Sequence, residues 1–196
     1  MRILGIDPGL ADVGWGIVES DGAGRPPRHV AHGVIKTRAG EPMARRLDII
    51  YRELQRVIDE HRPEEVSIEQ LFFATNVKTA IVVAQGRGVA ILATAGARLP
   101  LAEYTPLQIK LALVGYGNAA KQQVQMMVKA VLGLKEMPKP DHAADALAAA
   151  LCHLHSMRPA LDRARSAQRK NKESEELSPN KALLAMQRKK RTRRRG

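Results

Sequence analysis

A short apolar run that ends in an acid and stops abruptly constrains this chain more than any other feature. Arg2-Ile3-Leu4-Gly5-Ile6 is β-branched and aliphatic, long enough for one buried strand, and it terminates in Asp7. Pro8 cannot donate a ladder hydrogen bond and Gly9 tolerates positive φ, so the chain turns there. A second run with apolar alternation, Val13 to Val18, begins after a few residues, which predicts an antiparallel hairpin. Asp7 is thereby placed at a strand tip beside a tight turn, where ligands of α/β sheets bind. A carboxylate that has lost water on its strand side needs a cation nearby. A turn-capping Asp is the plainer reading, and the partners of Asp7 decide between the two.

The rest of the chain supplies a sheet and its covering helices. Asp21 to Pro27 is a loop, and Val30 to Thr37 returns as a third strand. Met43 to His61 places Leu47, Ile50, Tyr51, Leu54, Val57 and Ile58 near a 3.6-residue period, an amphipathic helix ended by Arg62-Pro63. Its other face carries Arg45, Arg46, Arg52 and Arg56, read as a solvated face with contact to an anionic polymer second. Val66 to Glu69 is a fourth strand, again apolar and again ending in an acid. Asn76 to Ala97 is a long helix with Val77, Ile81, Ala84, Gly88, Ile91, Leu92 and Ala95 near one face, small enough for a second helix to approach. Leu99 to Tyr104 is a fifth strand, and Thr105-Pro106 an N-cap followed by Pro at the first helical position. Helices over Leu107 to Val114, Lys121 to Leu132 and the Ala-rich Asp141 to Ser156 complete the order βββ-α-β-α-β-α-α-α. That order predicts an α/β fold, a mixed five-stranded sheet with helices on both faces.

Charge separates the chain into two parts. The formal net charge is +12 over 196 residues, but Arg158 to Gly196 alone holds fourteen Lys/Arg against four acids. The division is therefore a domain over 1–157 and a basic, flexible tail over 158–196, with a weak helical tendency at Lys181 to Gln187. Phosphate binding by the domain must come from local clusters, since its own charge is nearly balanced. Cys152 is the only cysteine, which excludes an intramolecular disulfide and a Cys-rich metal site. No leader-like segment precedes the first strand and no apolar run nears the ~18 residues of a membrane span, so a soluble, cytoplasmic protein is expected.

Asp7 and Glu69 meet if strands one and four are parallel neighbours. Two carboxylates so placed require a shared proton or a cation between them. The last helix offers Asp141, His142 and Asp145 at spacings of three and four, which share a face. Acids at a helix N-terminus are also favoured by the dipole, the plainer reading of Asp141. Acids aimed from an Ala- and Leu-rich helix toward a sheet are costly without a metal. Hard oxygen donors suit Mg²⁺ or Mn²⁺, and two such ions can activate a water and stabilise a leaving oxygen in phosphodiester hydrolysis.

Four separated blocks carry a resemblance: GIDPGLADVGWG at the start, IEQLFF around Glu69, TPLQIKLALVGYGNAAKQQVQMMV from Thr105, and DHAADALAAALCHLH from Asp141. Together, over residues 1–157 and in the right order, they resemble the RuvC family of bacterial Holliday-junction resolvases. The resemblance implies an RNase H-like fold and a homodimeric crossover junction endodeoxyribonuclease. It further implies symmetric, metal-dependent nicking of four-way DNA junctions in recombination and repair, alongside the RuvA–RuvB branch-migration machinery. By motif position it puts catalytic metal ligands, for Mg²⁺ or Mn²⁺ and two ions per site, on Asp7, Glu69, Asp145 and His142. Many members carry Asp at the position of His142, and an imidazole there favours a softer ion, hence Mn²⁺. Asp141 is a weaker alternative ligand. The resemblance also assigns Phe72 to stacking on junction bases, with Phe73 in the core, and Lys110 and Lys121 to the DNA backbone. Gly14 and Gly16, flanking Trp15, serve close backbone packing. The helix from Asn76 is the expected dimer contact.

Two rivals are weighed against this. An actin-like or sugar-kinase-like ATP-binding fold also opens with Gly-Ile-Asp-x-Gly, but it needs a second half for which 196 residues leave no room. A non-catalytic junction or nucleic-acid binder using the basic tail gives no reason for acids at strand and helix ends.

Overall fold

The structure, a computed structural model, describes residues 1–22, 25–70 and 77–157. Phe72, Phe73, Asn76 and the basic tail, with its Lys181 to Gln187 segment, lie outside the described residues. Met1–Ser156 forms one compact unit. Its elements are β1 (Arg2–Asp7), β2 (Asp12–Glu19), β3 (Arg28–Lys36), α1 (Met43–His61), β4 (Glu65–Glu69), α2 (Val77–Gly96), β5 (Leu101–Tyr104), α3 (Pro106–Val114) and α4 (Lys121–Val131). A fifth helix, α5, occupies residues 141–157. The sheet order is β3-β2-β1-β4-β5. The first three strands are antiparallel neighbours, while β1–β4 and β4–β5 are parallel, which gives the expected mixed sheet.

Alternation along the strands divides the residues between two faces. Leu4, Ile6, Val13, Ile17, Ile35, Val66 and Ile68 point to one face and form a core with Ile50, Leu54, Val57 and Ile58 of α1 and Ala90 and Ala93 of α2. Complete burial of each Leu or Ile there is worth roughly 1.5–3 kcal/mol. The intervening residues, Gly5 and Asp7 of β1, Ser67 and Glu69 of β4, face the other side, toward α5.

Two strand starts differ from the sequence reading, each for a local reason. β5 starts at Leu101, because Leu99 N–H bonds back to the Thr94 carbonyl and Arg98 adopts φ 57°, so both residues finish α2. β3 starts at Arg28, two residues early, where it pairs with Glu19. The stripe Ile81, Ala84, Gly88, Leu92, Ala95 of α2 faces outward; the buried positions are Gly86, Ala90, Ala93 and Thr94. Gly86 is required on the inward face because α2 meets backbone there: a Cβ at Gly86 would stand 2.0 Å from the Gly9 carbonyl oxygen. Thr105 caps α3 as expected, accepting from Gln108 N–H at 3.2 Å.

Candidate active site

Across the α5-facing side of the sheet runs a row of small residues. Gly16 pairs with Gly5, Gly5 with Ser67, and Ser67 with Ala102. α5 lies on this row with Ala143, Ala146, Leu147 and Ala150 fully buried. The approach is backbone to backbone. A Cβ at Gly5 would stand 1.9 Å from the Ala146 carbonyl oxygen, and one at Gly14 would stand 2.0 Å from that of His142. Further along α5, the buried His153 binds Glu65 through Nε2 at 2.7 Å and the Tyr104 hydroxyl through Nδ1 at 2.8 Å, tying the helix to β4 and β5.

Such proximity lets short side chains from the first turns of α5 reach the tip of β1. His142 Nδ1 lies 2.7 Å from Asp7 Oδ2. One ligand atom each from Asp7, His142 and Asp145 falls within 4.8 Å of the other two. Glu69 stands outside that trio but opens on the adjoining cleft of about 220 Å³, together with Asp145, Lys110 and Lys121. Lys121 Nζ binds Asp145 at 2.9 Å and Asp141 at 3.4 Å. Asp141 is turned outward, and its carboxyl is held below the ordinary range by Gln125 and then Lys121.

The electrostatics describe a crowded carboxylate site. Burial raises the Asp7 pKa more than the His142 hydrogen bond lowers it, and the Asp145 charge raises it further. Glu69 is pushed up to about 7, by burial first and then by the charges of Asp7 and Asp145, against the pull of Lys121 and Lys110. Burial lowers the Lys121 pKa, but its bonds to Asp145 and Asp141 outweigh that and leave it raised. Two carboxylates and one imidazole within reach of one another could hold a divalent cation.

Of the residues expected to act together, Asp7, His142 and Asp145 therefore converge, and Glu69, Lys110 and Lys121 share the cleft beside them. Phe72 lies outside the described residues. The α1 arginines are occupied locally, Arg45 with Glu41, Arg52 with Asp48, Arg56 with Glu53, and Arg46 with the Thr37 hydroxyl, as a solvated helix face. Gly14 and Gly16 do serve close packing. Gly5 and Ser67 complete the row and were missed, although their odd-numbered phase with Asp7 and Glu69 was readable.

The family model described as "Crossover junction endodeoxyribonuclease RuvC" matches residues 3–153. A protein of the same description from Syntrophomonas wolfei is 53% identical over 158 residues, which is 81% of this chain and 91% of the relative. The solved structure of Thermus thermophilus RuvC in complex with a Holliday junction substrate superposes with a TM-score of 0.77 at 40% identity, covering 82% of this chain and 97% of that one. Yeast mitochondrial Holliday junction resolvase Ydc2 shares the fold at 12% identity, with a TM-score of 0.61 over 86% of this chain and 83% of that one. The chain belongs to the RuvC family of crossover junction endodeoxyribonucleases.

Proposed function

We propose that this protein is a structure-selective endonuclease that resolves four-way DNA junctions by divalent-metal-dependent phosphodiester hydrolysis, acting as a homodimer. The observation that carries the reading is the convergence of Asp7, His142 and Asp145 within 4.8 Å, with Glu69 and two lysines on the adjoining cleft. Asp7, His142, Asp145 and Glu69 would hold Mg²⁺ or Mn²⁺, and the raised proton affinities of Asp7 and Glu69 are what bound cations would relieve. When bound, such ions supply an activated water and neutralise charge on the leaving oxygen.

The remaining roles belong to the chain. His142 anchors Asp7 by its hydrogen bond to Oδ2 and, among the described residues, leaves the other carboxylate oxygen free. Lys121 neutralises Asp145 and stands where a scissile phosphate would meet the acids, so it changes partner as the strand enters. Lys110, also on the cleft, contacts the strand beside it. Phe72 would stack on an exposed junction base. A two-fold dimer presents two such sites to strands of like polarity, and the outward stripe of Ile81, Gly88 and Leu92 on α2 supports that helix as the contact. RuvA–RuvB would be the partner machinery by family membership.

The test is strand cleavage of a synthetic four-way junction beside a linear duplex of the same sequence, in Mg²⁺, Mn²⁺ or EDTA. Symmetric, metal-dependent nicking of the junction, absent in Asp7→Asn although that variant still binds it, is the expected result. Binding without cleavage in any metal would overturn the enzyme reading in favour of a structural binder.

A further inference from the structure

Two histidines on the sheet edge are brought to one side by an irregularity in the strand. Residues three apart on a regular strand point to opposite faces. In β3 the pairing with β2 shifts between Ile17 and Val18: Ile17 meets Ala31, but Val18 meets His29, leaving Val30 as the extra residue. A bulge of this kind resets the alternation and re-aims side chains. His29 and His32 consequently face each other, with His29 Nε2 and His32 Nδ1 2.7 Å apart. The ring centroids are 4.8 Å apart and the planes are inclined by 60°, so the rings meet nitrogen to nitrogen rather than stacking. Both side chains are half-buried, and the backbone carbonyl of Lys139 opposes the His32 ring.

A single proton occupies the space between these two nitrogens, since two would repel and none would leave lone pairs opposed. One cation between two imidazole nitrogens is also the geometry of chelation. We propose that His29 and His32 form a binding site for a borderline divalent transition ion, Zn²⁺, Ni²⁺ or Cu²⁺, separate from the carboxylate cluster around Asp7. Metal–nitrogen bonds of about 2.0–2.1 Å, at angles between square and tetrahedral, place donor atoms roughly 2.8–3.4 Å apart. The observed pair opens to that spacing by less than about 1 Å, a small side-chain rotation. Imidazole selects these ions over Mg²⁺, and water completes the coordination. The Lys139 backbone lies beside the His32 ring, where a ligating histidine ordinarily has an outer partner. Burial lowers the pKa of both rings, with the neighbouring His32 adding to the effect on His29, and so keeps them in the neutral, ligating form. The site is distinct in the fold as well: β2 separates β3 from β1, and Asp7 lies opposite Gly14, itself opposite Val34.

The experiment titrates Zn²⁺ alone into the metal-stripped full chain carrying Asp7→Asn and Asp145→Asn, which disables the carboxylate cluster. One Zn²⁺ per chain is expected, with affinity reduced in either His29→Gln or His32→Gln by more than the roughly 10–100-fold that loss of an outer-shell partner costs. Unchanged zinc affinity in both histidine variants, or no zinc uptake by the background protein, overturns the proposal. Should the histidine variants fail to fold, electron paramagnetic resonance of Cu²⁺ bound to the background protein decides alone. Hyperfine splitting from two nitrogens supports the site, and an oxygen-only spectrum refutes it.

Discussion

Replacing Glu69 with Gln should make the metal-free protein more stable while destroying its activity. Unfolded, Glu69 titrates near 4.5; folded, it is pushed up to about 7 by burial and by Asp7 and Asp145. A raised carboxyl pKa means the folded state keeps a proton that the unfolded chain has released. Stability therefore falls as pH rises from about 4.5 to about 7 and is flat beyond, with the ionised Glu69 as a standing cost. At about 1.4 kcal/mol per pH unit the ceiling is near ~3 kcal/mol. Glu69 is only partly buried and solvent screens it, so we expect about 1–2 kcal/mol. Gln keeps the shape and removes the charge. Urea unfolding in EDTA at fixed protein concentration should show variant and wild type nearly equal at pH 4.5, and the variant ahead by that margin at pH 8. Asp7, also raised, leaves a shared residual slope in both proteins. Added Mn²⁺ should then stabilise the wild type more than the variant. Parallel stability–pH curves, or a variant weaker at pH 8, would refute the account of charge crowding.

Other expectations follow from single contacts. Gly14→Ala forces a methyl against the His142 carbonyl and should cost about 1–3 kcal/mol in a thermal melt and most of the cleavage rate, because His142 moves; a wild-type melt would count against the close approach. His142→Asp should raise activity in Mg²⁺ relative to Mn²⁺, and an unchanged ratio in junction cleavage would remove the case for a softer ion. Nothing lies within 4 Å of a Cβ at Gly88, so Gly88→Arg should leave the protomer fold intact by circular dichroism yet yield monomers in ultracentrifugation; an intact dimer would exclude α2 as the contact. His153→Leu strands Glu65 and Tyr104 and should lower stability by about 1–3 kcal/mol, read as a shift in the urea midpoint.

The strands and helices were legible because their signals are local. Asp7 ends an apolar run before Pro8-Gly9, Thr105-Pro106 announces α3, and the period of Leu47 to Ile58 places α1. Asp7, His142 and Asp145 were singled out by motif, and the nearness of Asp7 to Glu69 by the expected parallel pairing of β1 with β4. What escaped were properties of contact. The α2 stripe was read as a face for a second helix, but the opposite face, where Gly86 must pass the Gly9 carbonyl, carries no periodic signal of its own. Gly5 and Ser67 carry no chemistry of their own, and only their phase with Asp7 and Glu69 marked them as the floor on which α5 rests. The meeting of His29 and His32 depends on a bulge at Val30, and no local preference in the sequence announces it.

The row of small residues beneath α5 also sets the length of the arms that reach the cleft. With the helix backbone resting on the sheet backbone, Asp7 and Asp145 span the gap with only two side-chain torsions each. A helix held off by larger side chains would need Glu in their place, with a third torsion to freeze whenever a ligand is grasped. Each frozen rotamer-rich side chain costs roughly 0.5–1.5 kcal/mol on binding. The glycines thus act at a distance from the chemistry: by shortening reach they reduce the disorder that would be lost on closing the acids around a bound cation, a contribution that no glycine could make by touching it.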